Sequence, residues 1–285
     1  NPGGVPIEAG ARAVHGIGEE QLADAPTWQQ VIPAPVRPTC IRPRYGRPVS
    51  GPGTAGPRGR GGLRWPAMIE PDFLSTTRTA YDAVADTYAE LISPKFASTP
   101  LVRAMITPFA ELVRATGGRV ADLGCGPGHV TAHLSALGLD VFGVDLSAEM
   151  VALARRTHPE LRFEEGSMFA LDLPDGALGG VLANYSIIHT PPERVPEMLA
   201  EFSRVLAPGG HLLIAFQAHE DLSAAPEAFD HTVALAYRWS PDHVARLLRE
   251  AGVAEVARMV ISPDEDEKRG FPQAFVLARK PAALG

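Results

Sequence analysis

Residues 119–129 read RVADLGCGPGH, and this stretch decides the fold. Its first five residues form a short, mostly apolar run of the kind found in buried parallel strands, and three glycines at alternate positions follow directly. Glycine adopts backbone conformations that other residues avoid, and it lets a ligand approach the main chain closely. In open α/β sheets, ligands bind at the carboxyl ends of the strands. The stretch therefore predicts a ligand loop between a first strand and a helix.

The chain beyond this loop alternates strand and helix patterns. Short apolar runs at 141–144, 161–163, 180–183 and 211–216 read as further buried strands. Helical patterns separate them, and the clearest spans 193–206. A helix with Ser240 as its N-cap and Gly252 at its end, then strands at 253–261 and 273–278, complete the series. The prediction is an α/β fold with a doubly wound, seven-stranded, mostly parallel sheet and helices on both faces.

Two helices are predicted before the first strand. One spans 77–92, where apolar residues recur at three and four, and Pro94 is expected to end it. The second spans about 101–116 and stops at Gly117.

The first 67 residues have a different composition from the rest. They hold 12 of the 28 glycines and 11 of the 27 prolines, with eight Arg against four acidic residues. Such a Gly/Pro/Arg-rich segment cannot bury enough apolar surface to order itself, so 1–67 is predicted to be a disordered extension. A second interpretation is that Met68 is the true start. The folded domain is predicted to span 68–285.

Charge and cysteine content exclude several function classes. The net charge is −7, and because 1–67 carries +4, the remainder carries −11, which disfavours nucleic acid as a partner. The two cysteines lie far apart in sequence and supply no disulfide framework or metal site. No run of about 18 apolar residues and no signal-peptide pattern occurs, so a cytoplasmic protein without membrane insertion is expected.

The glycine spacing argues against two nucleotide-binding motifs. Counting from Gly124, a dinucleotide fingerprint needs a glycine at the sixth position, where this chain has His129. No Gly-Lys-Ser/Thr follows, as a phosphate-binding P-loop requires. Asp145 ends the next strand pattern, 21 residues after Gly124. Its carboxylate suits either the two hydroxyls of an adenosine ribose or the N-terminus of the following helix.

The combination of DLGCGPG at 122–128 with VDLS at 144–147 resembles motif I and the following acidic motif of class I S-adenosylmethionine (SAM)-dependent methyltransferases. The resemblance covers about 72–280 and includes Gly-Ser-Met at 166–168 and LAPGG at 206–210. It implies SAM as cofactor and methyl transfer by direct displacement to a small-molecule acceptor, at oxygen or nitrogen. A protein acceptor, a non-catalytic SAM-binding regulatory module and a nicotinamide oxidoreductase are the alternatives.

The resemblance also implies a cofactor-binding set: Asp122, Gly124, Cys125, Gly126, Gly128, Asp145, Leu146, Met150, Ser167, Met168, Asn184 and Tyr185. Gly124 and Gly126 would face the methionine part of SAM, and Asp145 the ribose. Leu146, Met150 and Met168 either flank the adenine or fill the core. Asp122 either receives the ligand ammonium through water or fastens the loop. Ser167 stands where the family often has an Asp that bonds the adenine amino group, so its role differs from the family pattern.

The acceptor side is predicted from fewer signals. His189 follows the fourth strand and is either a general base or a loop hydrogen-bonding residue. In the family, the helix at 77–92 would close over the site as a lid, which makes Tyr81 and Tyr88 either ligand contacts or residues that hold the helix in place. Trp239 lies in the region after the fifth strand and is predicted to contact the acceptor. No metal site is predicted, because His129 and His133 lack a further ligand.

Overall fold

The computed structural model describes residues 71–266 and 269–282. The predicted extension over 1–67 and the alternative start at Met68 lie outside these residues. The described helices are α1 (Asp72–Asp82), α2 (Ala85–Ser98), α3 (Pro100–Thr116), α4 (His129–Ala136), α5 (Ala148–Thr157), α6 (Val195–Val205) and α7 (Pro241–Glu250). The described strands are β1 (Arg119–Leu123), β2 (Val141–Asp145), β3 (Arg162–Glu165), β4 (Leu178–Asn184), β5 (Leu206–Gln217), β6 (Glu227–Asp230), β7 (Leu235–Arg238), β8 (Ala254–Ile261) and β9 (Gln273–Arg279).

Seven of these strands form one sheet in the order β3-β2-β1-β4-β5-β9-β8. Strands β1 to β5 pair in parallel, and β9 runs antiparallel to both of its neighbours. Successive residues of β1 pack on opposite faces of the sheet. Ala121 lies in a core cluster that includes residues of α6 and α7, and Val120 lies in one that includes residues of α3 and α4. Helices therefore cover both faces, and the predicted fold is confirmed.

A separate two-stranded hairpin follows β5. Strands β6 and β7 pair antiparallel, from Glu227 opposite Arg238 to Asp230 opposite Leu235. The sequence predicted an inserted region here but no strands. Because the insertion lies after a carboxyl strand end, it is placed on the same edge of the sheet as the glycine loop.

The predicted helix at 77–92 is two helices. Helix α1 already begins at Asp72, and the helical conformation is interrupted at Val84, whose φ of −125° and ψ of 11° separate α1 from α2. Pro94 does not end a helix, because it lies inside α2. Proline removes one main-chain donor, and α2 tolerates this loss on an exposed helix of which only Ala85 is buried. No helix in the described ranges is long and apolar enough to cross a bilayer.

Candidate functional site

The loop between β1 and α4 is built on glycines with left-handed backbone conformations. Gly124 has φ +71°, and a Cβ there would lie 2.3 Å from the Cβ of Ser186. Gly126 has φ +53°, and a Cβ there would meet no atom within 4 Å. Gly124 is therefore required by a close approach to the loop after β4, whereas the main chain at Gly126 faces open space. Both residues line a cavity at the carboxyl edge of the sheet.

Asp145 joins the two loops that border this cavity. Its Oδ2 accepts a hydrogen bond from the Gly126 N–H at 2.7 Å, and its Oδ1 accepts one from the Ser147 N–H at 2.9 Å. Burial raises the pKa of the Asp145 carboxyl, and the bonds from Ser147 and Gly126 oppose this shift. The Asp145 carboxylate thus lines the cavity, and each of its two oxygens already accepts one main-chain hydrogen bond.

Asp122 lies behind the loop and does not line the cavity. It is 1% exposed and accepts a 2.6 Å hydrogen bond from Thr131 Oγ1 at the start of α4. Burial raises its pKa to about 7, against the bond from Thr131, and the nearby Asp145 adds to the rise. This bond links the end of β1 to α4; both roles predicted for Asp122, a water-mediated contact with the ligand ammonium and fastening of the loop, stay predictions.

The structure brings most of the predicted residues to this cavity. Eleven of them line it: Tyr81, Tyr88, Gly124, Gly126, Asp145, Leu146, Ser167, Met168, Asn184, Tyr185 and His189. These residues come from five separate stretches of the chain. Their convergence at one edge follows from the parallel sheet, because the carboxyl ends of β1, β2 and β4 lie side by side.

Five predicted residues do not line the cavity. Asp122 is described above, and Gly128 packs against the ring of Phe163. Cys125 and Met150 are buried, at 4% and 0% exposed. Trp239 was predicted to contact the acceptor, and this placement is corrected: its side chain is fully buried in the core. Its large apolar ring packs in the core beside His243 of α7, which stabilises the fold instead of reaching the ligand side.

Helix α1 supplies a face that the sequence interpretation missed. Cavity-lining residues recur along it at the spacing of one helical side: Phe73, Leu74, Thr77, Arg78 and Tyr81. The signal was present in the sequence, but the helix was predicted to start at Thr77, which removed its first turn. Other missed lining residues include Phe169, Ser186 and Thr190.

Three contacts fasten α1 across the cavity. Ser147 Oγ donates to Asp82 Oδ1 at 2.5 Å, and Arg78 Nε donates to the Leu146 carbonyl at 3.2 Å. The rings of Phe73 and Phe169 meet edge to face at 5.7 Å. The helix therefore closes one side of the cavity through polar and aromatic contacts, although none of its residues is fully buried.

The end of β4 presents buried polar atoms to the cavity. Asn184 Oδ1 and Ser186 Oγ are buried and have no hydrogen-bond partner, and both residues line the cavity. Between them, Tyr185 has φ +56°, the only positive φ outside glycine in the described residues. Buried polar groups without partners are costly, and a ligand that donates hydrogen bonds would satisfy both.

Tyr81 of α1 and His189, in the turn after β4, contact each other directly. The Tyr81 hydroxyl lies 2.9 Å from His189 Nε2, and His189 Nδ1 lies 2.8 Å from the Leu235 carbonyl oxygen in the inserted hairpin. Burial lowers the pKa of His189, and the bond to Leu235 opposes the shift. The imidazole is therefore held neutral at neutral pH, with both nitrogens engaged.

Comparison with known proteins agrees with this geometry. Residues 120–210 match a family model described as a methyltransferase domain. The chain is 34% identical to a malonyl-[acyl-carrier protein] O-methyltransferase of Pectobacterium atrosepticum, over 42% of this chain and 52% of that protein. It is 33% identical to a demethylmenaquinone methyltransferase of Beutenbergia cavernae, over 48% of this chain and 65% of that protein. The chain thus spans about half to two thirds of these relatives.

Among solved structures, the fold resembles that of the 1,6-didemethyltoxoflavin-N1-methyltransferase of Burkholderia thailandensis, determined with 1,6-didemethyltoxoflavin and S-adenosylhomocysteine bound. The TM-score is 0.58 at 22% identity, covering 77% of this chain and 93% of that one. At this identity the likeness concerns the fold. Residues 120–210 thus match a methyltransferase domain, and the fold and the glycine and acidic motifs at the sheet edge are similar to those of class I S-adenosylmethionine-dependent methyltransferases.

Proposed function

We propose that this protein transfers a methyl group from SAM to a small-molecule acceptor. The observation that carries the proposal is the convergence on one cavity of the glycine loop, the Asp145 carboxylate and the unpartnered acceptors of Asn184 and Ser186. When bound, SAM supplies an activated methyl group on a sulfonium centre. The protein then needs to align the acceptor and exclude water, and it needs no covalent nucleophile.

The cavity residues fit the polar parts of SAM. Asp145 carboxylate oxygens can accept hydrogen bonds from ribose hydroxyls at the end of β2. Asn184 Oδ1 and Ser186 Oγ are acceptors without partners, and an ammonium group supplies three donors. The open space at Gly126 lets the methionine part of the ligand approach the main chain. Each requirement is met by a residue already lining the cavity.

The adenine ring has apolar neighbours in the same cavity. Leu146 and Met168 line it near Asp145, and the Ser167 hydroxyl lies beside Met168. Methionine packs favourably against aromatic rings, and Ser167 Oγ is a weaker acceptor than a carboxylate. We infer that adenine is held mainly by packing.

A small-molecule acceptor is supported by the part of the cavity wall that the cofactor assignment leaves free. Phe73, Leu74 and Phe169 line it together with Tyr81 and His189. Pockets for small ligands are mostly apolar with a few placed polar groups, which this wall reproduces. The relatives named above act on chemically different acceptors, so the family alone does not select one.

The deciding experiment is calorimetric titration of the protein with SAM, S-adenosylhomocysteine and NADH. SAM and S-adenosylhomocysteine are expected to bind and NADH to give no heat. Asp145→Ala is expected to weaken SAM binding by about 1–3 kcal/mol, because ribose hydrogen bonds to a charged group are lost. The control is Asp140→Ala. Asp140 lies just before β2, its side chain is 72% exposed, and it pairs with Arg119.

Two results would contradict the proposal. An unchanged SAM dissociation constant in a folded Asp145→Ala variant would remove the ribose assignment. Tight SAM binding without methylated product, across a broad screen of small acceptors followed by mass spectrometry, would favour the non-catalytic binding module instead.

A further inference from the structure

We infer that Tyr81 and His189 form a proton-accepting pair, and that the acceptor atom therefore carries a proton, as a hydroxyl or N–H group does. The inference rests on the proposed methyl transfer and deepens it by naming the acceptor class. Carboxylate acceptors, which lose no proton at neutral pH, are excluded by it.

The hydrogen bonds fix which atom carries each proton. A carbonyl oxygen only accepts hydrogen bonds, so the 2.8 Å contact to Leu235 places a proton on His189 Nδ1. In the neutral ring, Nε2 then has a lone pair, and it accepts the hydrogen bond from the Tyr81 hydroxyl at 2.9 Å. The lone pairs of the Tyr81 oxygen remain available to a ligand in the cavity that both residues line.

The surroundings keep the pair neutral before the reaction. His189 is 8% exposed, and burial disfavours its imidazolium form. Burial also raises the pKa of Tyr81, with further contributions from Tyr88 and from the Asp145 carboxylate. The His231 ring lies edge to face with His189 at 5.1 Å. A neutral imidazole in this setting is a base that is ready at neutral pH.

The reaction balances through this pair. As the acceptor atom forms its bond to the methyl carbon, the carbon–sulfur bond breaks and its electrons stay on sulfur. The acceptor proton moves to the Tyr81 oxygen, and the Tyr81 proton moves to His189 Nε2. The positive charge of the sulfonium is thus replaced by that of the His189 imidazolium. That proton returns to solvent after the product leaves.

A purely structural role for the contact has less support. Helix α1 is already fastened through Asp82, Arg78 and Phe73. The ring of Tyr81 also packs edge to face on Tyr88 at 5.5 Å and on His189 at 5.4 Å. A phenylalanine at position 81 would keep these ring contacts. The Tyr81 hydroxyl is therefore not needed for this packing, and it adds a path for proton transfer.

The first test needs no acceptor. In protein labelled with ¹⁵N-histidine, NMR should show His189 as the Nδ1–H tautomer at pH 7, and Tyr81→Phe should move the Nε2 resonance and leave the tautomer unchanged. Tyr237→Phe, which removes a hydroxyl from a half-buried tyrosine of β7, is the matched control and should leave both resonances in place. An Nε2–H tautomer in the wild-type protein would overturn the inference.

The second test compares acceptor classes: 1,4-dihydroxynaphthalene, lumazine and octanoate, with deuterated-methyl SAM and mass detection. The wild-type protein should methylate at least one of the first two. Tyr81→Phe and His189→Asn should lower kcat by about 100-fold or more, with the SAM dissociation constant within about twofold. The acid limb of the wild-type pH profile, below the ordinary histidine pKa, should be absent in His189→Asn.

These outcomes distinguish a failure of the inference from a failure of the proposed function. Failure of the wild-type protein to bind SAM would remove the proposed function itself. Methylation of octanoate alone, or of none of the three compounds by a protein that binds SAM, would overturn the inference about the acceptor. Equal turnover by wild type and both variants would overturn the role of the pair.

Discussion

The two sides of the cavity are built in different ways. On the side where we propose that the cofactor binds, called the cofactor side, the glycine loop and Asp145 follow β1 and β2 directly, and their contacts are largely between a carboxylate and main-chain N–H groups. On the side where we propose that the acceptor binds, called the acceptor side, α1, the turn after β4 and the inserted hairpin meet through side chains such as Tyr81 and His189. The first side depends on backbone shape and the second on contacts between distant segments.

This difference determines what each side tolerates. A main-chain site needs particular residues at fixed local spacing, because only glycine fits a left-handed position with a close neighbour. A site assembled from side chains can change its ligand by substitution on any of its segments. The cofactor side is therefore the more constrained of the two, and single changes should affect it most.

The largest effect is expected for Met150, which the sequence predicted, like Met168, either to flank adenine or to fill the core. Met150 is fully buried and does not line the cavity, whereas Met168 does. Met150→Ala should lower the free energy of unfolding by about 2–5 kcal/mol through the cavity it leaves. Met168→Ala should cost less stability and instead weaken SAM binding. Urea unfolding and calorimetry on both variants check this, and equal stability losses would contradict the distinction.

The next effect concerns the buried Asp122 carboxyl. Because its folded pKa is raised to about 7, its stabilising contribution is full at pH 4 and is lost as the pH rises through 7. Asp122→Asn removes the ionisation and keeps an acceptor for Thr131. At pH 8 the variant should be more stable than the wild type by up to about 4 kcal/mol, and at pH 4 nearly equal to it.

Urea unfolding of both proteins without ligand at pH 4 and 8 measures this difference. Asp140→Asn, on the exposed loop before β2, controls for general effects of pH. A stability difference that does not change with pH would show that Asp122 stays ionised throughout.

Most of the sheet could be predicted because each strand is a local apolar run ended by turn residues. The bounds of β1 agree residue for residue, and Ser240 is the N-cap of α7 as predicted, accepting from the His243 N–H. The elements that were predicted wrongly depend on tertiary context. The break at Val84 separates two helices whose apolar spacing continues across it, so periodicity could not reveal it.

The same distinction between local sequence pattern and tertiary context applies to the candidate site. Gly124, Gly126 and Asp145 could be found from spacing, since they follow strand ends that the fold brings together. The bond between Tyr81 and His189 joins residues 108 positions apart, and its geometry depends on how α1 packs. Trp239 shows the converse: an aromatic residue in an inserted region reads equally well as a ligand contact or as core, and burial decided for core.

Gly124 tests the claim that backbone shape governs the cofactor side. In Gly124→Ala the new Cβ would overlap the Ser186 Cβ, in addition to the strained φ of +71°. SAM binding should weaken about 100-fold, which corresponds to about 2.7 kcal/mol. Gly117→Ala is the matched control, because φ is +77° there and no atom lies within 4 Å of the Cβ position. It should cost about 1–3 kcal/mol of stability, because a ψ of 176° puts Gly117 in a region that is essentially limited to glycine. Equal SAM affinity in both variants would contradict the claim.

The smallest effect should come from Asp82, which links the two sides. Its Oδ1 accepts from Ser147 Oγ and from the Glu149 N–H, so this carboxylate of α1 lies at the N-terminus of α5, next to the cofactor loop. Asp82→Ala should release α1 and weaken SAM binding by about threefold to tenfold, whereas Asp82→Asn keeps an acceptor and should lose less. Asp86→Ala, an exposed position on α2, is the control. If Asp82→Ala binds SAM as the wild type does, α1 closes the acceptor side alone, and the two halves of the cavity act independently.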